Sequence, residues 1–437
     1  DGCRTGLISS RPLHYLCPRY THLYREGARG GTAMADQSPP TILCLASYEK
    51  GIPFLREGNR QGARMLLITV PTLEHAPWPR ENIDEIYFMP DLTDVQAVIN
   101  GVAYLARTHR IDRIVPLDEY DVLTAAALRE HFRLPGLSLS ATRFLRDKLA
   151  MRMRAQERGI PVPEFVAAVN DEQIRAYTTC VPGPWLLKPR AEASTIGITR
   201  LSTPEEIWSH LDTLGDRRSY HLIERYLPGE VYHVDSIIAG GEVVFAVASM
   251  YGRPPLDVFH EGGIALTRML PRGSQDEQAL QALNRRVLQA LGPVEGSTHM
   301  EFIKAAADGH FYFLEVAARV GGAYISDAIE AATGLNLWAE WAKIETARAD
   351  QPYQLPAHRQ DYAGVIISLA RQETPDTSAY QDPEIVWRLE KPHHVGFIVV
   401  SADAARVWSL LDQYSARFTA DFGATMPPYT SRPPSHS

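Results

Sequence analysis

Two apolar runs in this 437-residue chain each carry one acid. THMEFIKA holds Glu301 among Met300, Phe302 and Ile303, and FYFLEVAARVGGAY holds Glu315 between Leu314 and Val316. They flank Asp308-Gly309 and read as a hairpin that brings the two carboxylates together. Two unit charges about 4 Å apart repel by roughly 4 kcal/mol at an effective dielectric of 20, so a cation or a proton must offset them. Mg²⁺ takes hard oxygen ligands and shares carboxylates with substrate phosphates. Ion pairing with Lys304 or Arg319 is the alternative account of the two acids. A third stretch, WLLKPRAEASTIGITRL, ends an apolar strand at Lys188. The turn after it has Ser194, Thr195 and Gly197, small enough for backbone N–H groups to approach phosphate oxygens. With Arg319 and Gly321-Gly322 to meet an anionic intermediate, these pieces outline an ATP–Mg²⁺ site that activates a carboxylate.

The elements that must hold these residues follow from periodicity. Strand runs at 41–47, 64–70, 85–89 and 113–116 alternate with helical patterns at 52–61, 94–109 and 120–131. This spacing predicts βαβ units and a parallel sheet. A helix is expected over 140–159, with Ser140 as cap, Gly159 as stop and Lys148 in its middle, on what could equally be a solvated face. Strands at 165–168 and 185–188 flank a helix at 171–178, and a helix at 204–214 has a Ser202 or Thr203 cap. Further strands are expected at 221–226, 230–238 and 242–249, the last two closed by Gly240-Gly241. Glu224 and Glu230 flank the bend between the first two. A mobile loop is expected over 251–263, a helix over 274–291, and a helical stretch over 322–343. Strands at 364–369 and 395–400 with a helix at 405–414 read as a small cap.

Composition narrows the class. The formal net charge of −8 argues against nucleic acid or an anionic membrane as the main partner. The sequence has no apolar run long enough for a transmembrane helix. Cys3, Cys17, Cys44 and Cys180 are scattered without a CxxC, which suits a reducing cytoplasm. The first 33 residues are Arg-rich without periodicity, and Met34 is a plausible natural start, so residues 1–39 are expected to be a disordered or non-native extension. A transit peptide is the alternative reading of that segment. The expected layout continues with an N-terminal α/β domain at 40–139, the nucleotide domain at 140–345, an α+β cap at 346–425 and a disordered Pro/Ser-rich tail at 426–437. Neither GxGxxG nor GxxxxGK[ST] occurs, so the site is not a Rossmann or Walker site.

The order of RDKLAMR…GIPVPEF, LLKPRAEASTIGI, LIERYLPGEVYHVD, MEFI and FLEVAARVGG resembles the ATP-grasp superfamily, of the carboxylate–amine ligase and biotin-carboxylase-like kind. The resemblance covers roughly residues 40–345. It implies an α/β domain followed by two α+β lobes that grip ATP. On these positions it implies that Lys148 and Lys188 contact the phosphates and that Ser194 and Gly197 lie in the closing loop. Glu224 and the backbone at Tyr226 and Leu227 would meet adenine, and Glu230 or a neighbour the ribose. Glu301 and Glu315 would hold Mg²⁺, with Mn²⁺ as a substitute, and Arg319 would pair with the acyl phosphate or substrate carboxylate. Ala317 departs from the Asn common at that position and cannot coordinate.

The reaction implied is ATP-dependent amide formation from small-molecule carboxylate and amine substrates through an acyl phosphate, with a homodimer as the family-level expectation. His233 and His260 are candidate proton acceptors for the amine, against a structural role for each. A carboxylase-like or kinase-like enzyme is one alternative, and a catalytically impaired nucleotide-binding regulator, with Ala317 in its favour, is another.

Overall fold

The computed structural model describes residues 39–193 and 195–424. The extension expected over 1–39, apart from Pro39, lies outside the described residues, as do Ser194 and the tail over 426–437. Among the described residues no helix is long and apolar enough to cross a membrane.

The first layer is a parallel sheet. Strands β1 (Thr41–Ala46), β2 (Arg64–Thr69), β3 (Glu85–Phe88) and β4 (Arg113–Pro116) stand in the order β3-β2-β1-β4. Helices α1 (Ile52–Arg60), α2 (Val95–Leu105) and α3 (Val122–Phe132) connect and cover them. Every residue of β1 is buried, as a parallel strand covered on both faces requires. Strand order reverses between β1 and β4, which opens a crevice at their carboxyl ends. The helix expected over 120–131 starts later, at Val122, because Glu119–Asp121 form a 3₁₀ turn capped by Asp118.

A linker made of α4 (Leu139–Arg143) and α5 (Lys148–Glu157) replaces the single helix expected over 140–159. The break is built by Asp147, whose carboxylate accepts the N–H groups of Leu149 and Ala150 and pairs with Arg190. Lys148 is therefore the first residue of α5, not a mid-helix residue. Its own N–H is bonded to the Arg190 carbonyl, which fixes the direction of its side chain.

Strands β5 (Phe165–Ala167), β6 (Trp185–Pro189), β7 (Thr199–Leu201) and β8 (His221–Arg225) form an antiparallel sheet in the order β5-β8-β6-β7. Helices α6 (Asp171–Cys180) and α7 (Pro204–Leu214) bury Ile174, Ile207 and Leu211 against its outer face. The cap of α7 is Thr203, which accepts from Glu206 N–H.

The third sheet has eight antiparallel strands. These are β9 (Gly229–Ala239), β10 (Glu242–Tyr251), β11 (Ala265–Met269), β12 (Gly296–Ala305), β13 (Phe311–Ala317), β14 (Tyr362–Leu369), β15 (Ile385–Arg388) and β16 (His394–Ser401). Their order is β13-β12-β9-β10-β11-β14-β16-β15. Gly240 and Gly241 both take positive φ, the backbone a two-residue hairpin turn needs. The region expected as an α+β cap over 346–425 carries strands that extend this sheet, since β14 pairs with β11. Helix α12 (Ala404–Asp421) covers that half, burying Val407, Leu410, Leu411, Tyr414 and Phe418. The other half is covered by α9 (Gln275–Leu291), capped by Ser274.

Two further expectations change. The 251–263 loop contains a short helix, α8 (Pro255–Glu261), with Pro255 at its first position. The helical stretch at 322–343 is two helices, α10 (Ile325–Thr333) and α11 (Leu337–Thr346), separated at Gly334 with φ +81°. Helix α11 docks on α1, with Trp341 edge-on to Phe54 at 5.5 Å, and this joins the large sheet to the parallel one.

Candidate active site

Glu301 and Glu315 are direct register partners on β12 and β13. Neither ion pair of the alternative account forms: Lys304 binds Asp276 at 2.7 Å, and Arg319 binds Glu119 at 3.0 Å. Instead Lys148 Nζ reaches Glu315 Oε2 at 2.8 Å and donates to the Glu192 carbonyl at 2.7 Å. Burial alone would raise the Glu315 carboxyl, but Lys148, with Lys188 and Arg152 nearby, holds it well below the usual range. Glu301 accepts from the Tyr251 hydroxyl at 2.9 Å. The paired donors are all carboxylate oxygens, the chemistry a hard divalent cation takes, so these residues fit Mg²⁺. Ala317, two residues on, supplies no ligand.

Lys188 lies on β6 across the cleft and binds Glu224 of β8 at 2.5 Å. Arg152 of α5 binds the other Glu224 oxygen at 2.6 Å and also donates to the Leu314 carbonyl. Burial raises the Glu224 carboxyl, yet the two cations outweigh it and hold the group ionised. The sequence reading missed Arg152, because an arginine in a helical pattern looks like a solvated face. Its 1% exposed side chain shows otherwise.

A cleft between the two antiparallel sheets joins these groups. Lys148, Arg152, Lys188 and Glu224 line it together with Leu186, Ile196, Ile198, Leu227, Val231 and Ile303, and Glu301 and Glu315 close one end. Apolar walls with cations at one end suit a flat base and a polyphosphate. Tyr226 borders the cleft, but its N–H is bonded to the Pro184 carbonyl and its ring is covered by Arg200 at 4.0 Å. Glu230 points away: its neighbours Gly229 and Val231 face the cleft, and alternation along β9 sends Glu230 to the opposite, exposed side, where it accepts from Tyr232. Gly197 has φ +73°, and a Cβ there would stand 2.9 Å from Pro189, so the turn over the cleft requires glycine.

A second chamber opens on the far side of the acids. Lys148, Glu192, Thr195, Pro255, Glu301 and Glu315 line both. Arg319 lines the second chamber, and its Nε is 3.0 Å from Glu119 Oε2, while Arg146 Nε is 3.4 Å from Glu119 Oε1. Two guanidiniums on one carboxylate leave positive charge for an anion. Glu119 and Arg146 carried no signal in the sequence reading. Their one available cue was position, in the turns after β4 and α4.

Of the candidate histidines, His260 is exposed on α8 and lines neither chamber, while His233 is fully buried. His233 Nδ1 lies 2.6 Å from Asp235, whose other oxygen lies 2.9 Å from His299 Nδ1, and His233 Nε2 lies 2.6 Å from the Thr267 hydroxyl. Burial would raise the Asp235 carboxyl, but the two imidazoles depress it strongly. His299, unremarked in the sequence, lines the second chamber together with Thr267 and lies 3.5 Å from Glu301. A Cβ at Gly321 would stand 2.6 Å from Asp235, so this glycine makes room for the buried acid. Gly322, with open space around its Cα, is the one that lines the chamber.

No family model matches the chain. Over 315 residues it is 27% identical to the L-arginine-specific L-amino acid ligase of Bacillus subtilis, covering 70% of this chain and 75% of that one. The structure matches the L-amino acid ligase of Bacillus licheniformis with TM-score 0.68 at 17% identity, over 86% of this chain and 97% of the other. It also matches the carboxyaminoimidazole ribonucleotide synthase of Aspergillus clavatus, solved with ATP, with TM-score 0.65 at 18% identity, over 87% and 99%.

Proposed function

We propose that this chain, an ATP-dependent carbon–nitrogen ligase of the ATP-grasp superfamily, couples an amino acid to a second amine-bearing small molecule. The observation that carries the reading is the register pairing of Glu301 with Glu315 where the two chambers meet, with Lys148 bound to Glu315 at 2.8 Å. ATP occupies the cleft between the antiparallel sheets. Its base lies between Leu186, Ile198, Leu227 and Ile303, and its phosphates extend toward Lys148, Lys188 and the two acids. Glu301 and Glu315 would hold Mg²⁺, or Mn²⁺ in its place, which would supply charge neutralisation to the phosphate oxygens.

The substrate carboxylate enters the second chamber beside Arg319 and attacks the γ-phosphorus. ADP leaves and an acyl phosphate forms. Lys148 and Lys188 offset the repulsion between the two anions, so most of the acceleration is positioning and electrostatics. Arg319, with Arg146 sharing its counter-charge, retains the acyl phosphate. The incoming neutral amine attacks the acyl carbon, the C–O bond to phosphate breaks, phosphate departs with the proton the nitrogen loses, and an amide remains. The 190–197 turn and α8 close over the intermediate and keep water from hydrolysing it.

The test is mass spectrometry of the products formed from ATP, Mg²⁺ and a pooled set of amino acids. A new amide appearing with equimolar ADP and phosphate supports the reading. ADP formation that no amine accelerates refutes the ligation step. The dimer expected from the resemblance belongs to the same proposal and is checked by light scattering.

A further inference from the structure

The second chamber has two unlike halves. One is charged, and every carboxylate in it is already engaged. Glu119 lies between Arg319 and Arg146, Glu315 is paired with Lys148, and Glu301 accepts from Tyr251. Glu192 lies 3.5 Å from the Tyr120 hydroxyl. Arg253, at the mouth, is paired with Glu261. The other half is apolar. Val258 and Phe259 come from α8, Leu266 from β11, Ile325 from the start of α10, and Val365 and Ile367 from β14. Alternation along β14 makes this wall: Ile366 turns into the core under α12, so Val365 and Ile367 must face the chamber.

We propose that this half receives the side chain of the carboxylate substrate, and that the substrate is an α-amino acid with an uncharged apolar side chain of the leucine, methionine or phenylalanine class. This rests on the ligase reading. The substrate carboxylate must lie beside Lys148 and the two acids to reach the γ-phosphorus, and the apolar wall is the surface left for its side chain. A guanidinium or ammonium there would be desolvated without a carboxylate to receive it. An acidic side chain would meet Arg253 already neutralised by Glu261. Specificity of this kind is set by methylene-sized contacts, each worth on the order of tenfold to a hundredfold in kcat/KM.

The experiment uses the full chain with ATP, Mg²⁺ and hydroxylamine, which traps the acyl phosphate as a hydroxamate without needing the natural amine. Leucine, methionine and phenylalanine are compared with arginine, lysine, aspartate and glutamate. The apolar group should exceed the charged group in kcat/KM by at least about tenfold. Hydroxamate formed best from a charged amino acid overturns this inference and leaves the ligase reading standing. Absence of hydroxamate and of ADP with every amino acid overturns both. Ile367→Asp should lower turnover with leucine and raise the arginine-to-leucine ratio. If that variant does not fold, Phe259→Asp on the half-exposed α8 makes the same test, and an unchanged ratio in it counts against the assignment.

Discussion

Glu301 and Glu315 face each other in register across two antiparallel strands, yet each is held from a different side, Glu301 by the Tyr251 hydroxyl and Glu315 by the Lys148 ammonium. The pair is therefore a meeting point of β10, α5 and the β12–β13 hairpin. Replacing Glu315 by Ala removes half of the carboxylate pair and frees Lys148. Mg²⁺-dependent phosphate release should fall by at least about 100-fold while far-UV circular dichroism stays native, because Glu315 is half-buried at the edge of the site rather than in the core. Turnover at the wild-type rate would remove the metal assignment.

Glu224 is the opposite case, a fully buried acid between two cations. Glu224→Ala leaves Arg152 and Lys188 buried and uncompensated. Breaking such a pair costs about 3–5 kcal/mol, which urea unfolding would register as a lower midpoint. Glu224→Gln keeps an acceptor and should lose less.

Asp121 predicts a pH dependence of stability. Burial, then the neighbouring Asp118, push its carboxyl up to about 7, against opposing bonds from Ser47 and the charge of Lys50. An acid raised in the folded state keeps its proton there while the unfolded chain has lost it, so the folded form binds more protons between about pH 4 and 7. Stability must then fall as pH rises through that window and level off above it. Asp121→Asn should remove this slope, gaining up to about 4 kcal/mol relative to the parent at pH 8, at about 1.4 kcal/mol per pH unit. Urea titrations at pH 5 and pH 8 compare the two. Equal slopes in both proteins would discard this assignment.

Arg319→Lys keeps the charge but loses the planar fork that binds Glu119 through Nε and the Val320 carbonyl through Nη1. We expect KM for the carboxylate substrate to rise about tenfold or more, with KM for ATP nearly unchanged, since Arg319 lines the second chamber and not the cleft. A matching rise for ATP would place Arg319 in the nucleotide site instead.

The lone acids on apolar strands were legible in the sequence because a charge amid Met300, Phe302 and Val316 has no cheap local explanation. The parallel sheet was legible for a similar reason, since its period and punctuation are local. What stayed hidden depends on distant partners. Strand β14 reads identically whether it opens a new sheet or joins β11, because only long-range pairing decides between them. Lys148 looked mid-helical because Asp147, the residue that caps α5, is also an ordinary helix-surface residue. Arg152, Glu119 and His299 are polar side chains whose burial comes from other elements. Pro254-Pro255 suggested a loop, although proline at a first helical position starts helices as readily as it breaks them.

Helix α8 borders both chambers, with Leu256 and Asp257 over the cleft between the antiparallel sheets and Val258 and Phe259 over its neighbour. The seven-residue helix is about two turns long and bridges the two compartments as one short unit. On the proposed reaction, departure of ADP and of the coupled product would therefore be tied to the same short helix.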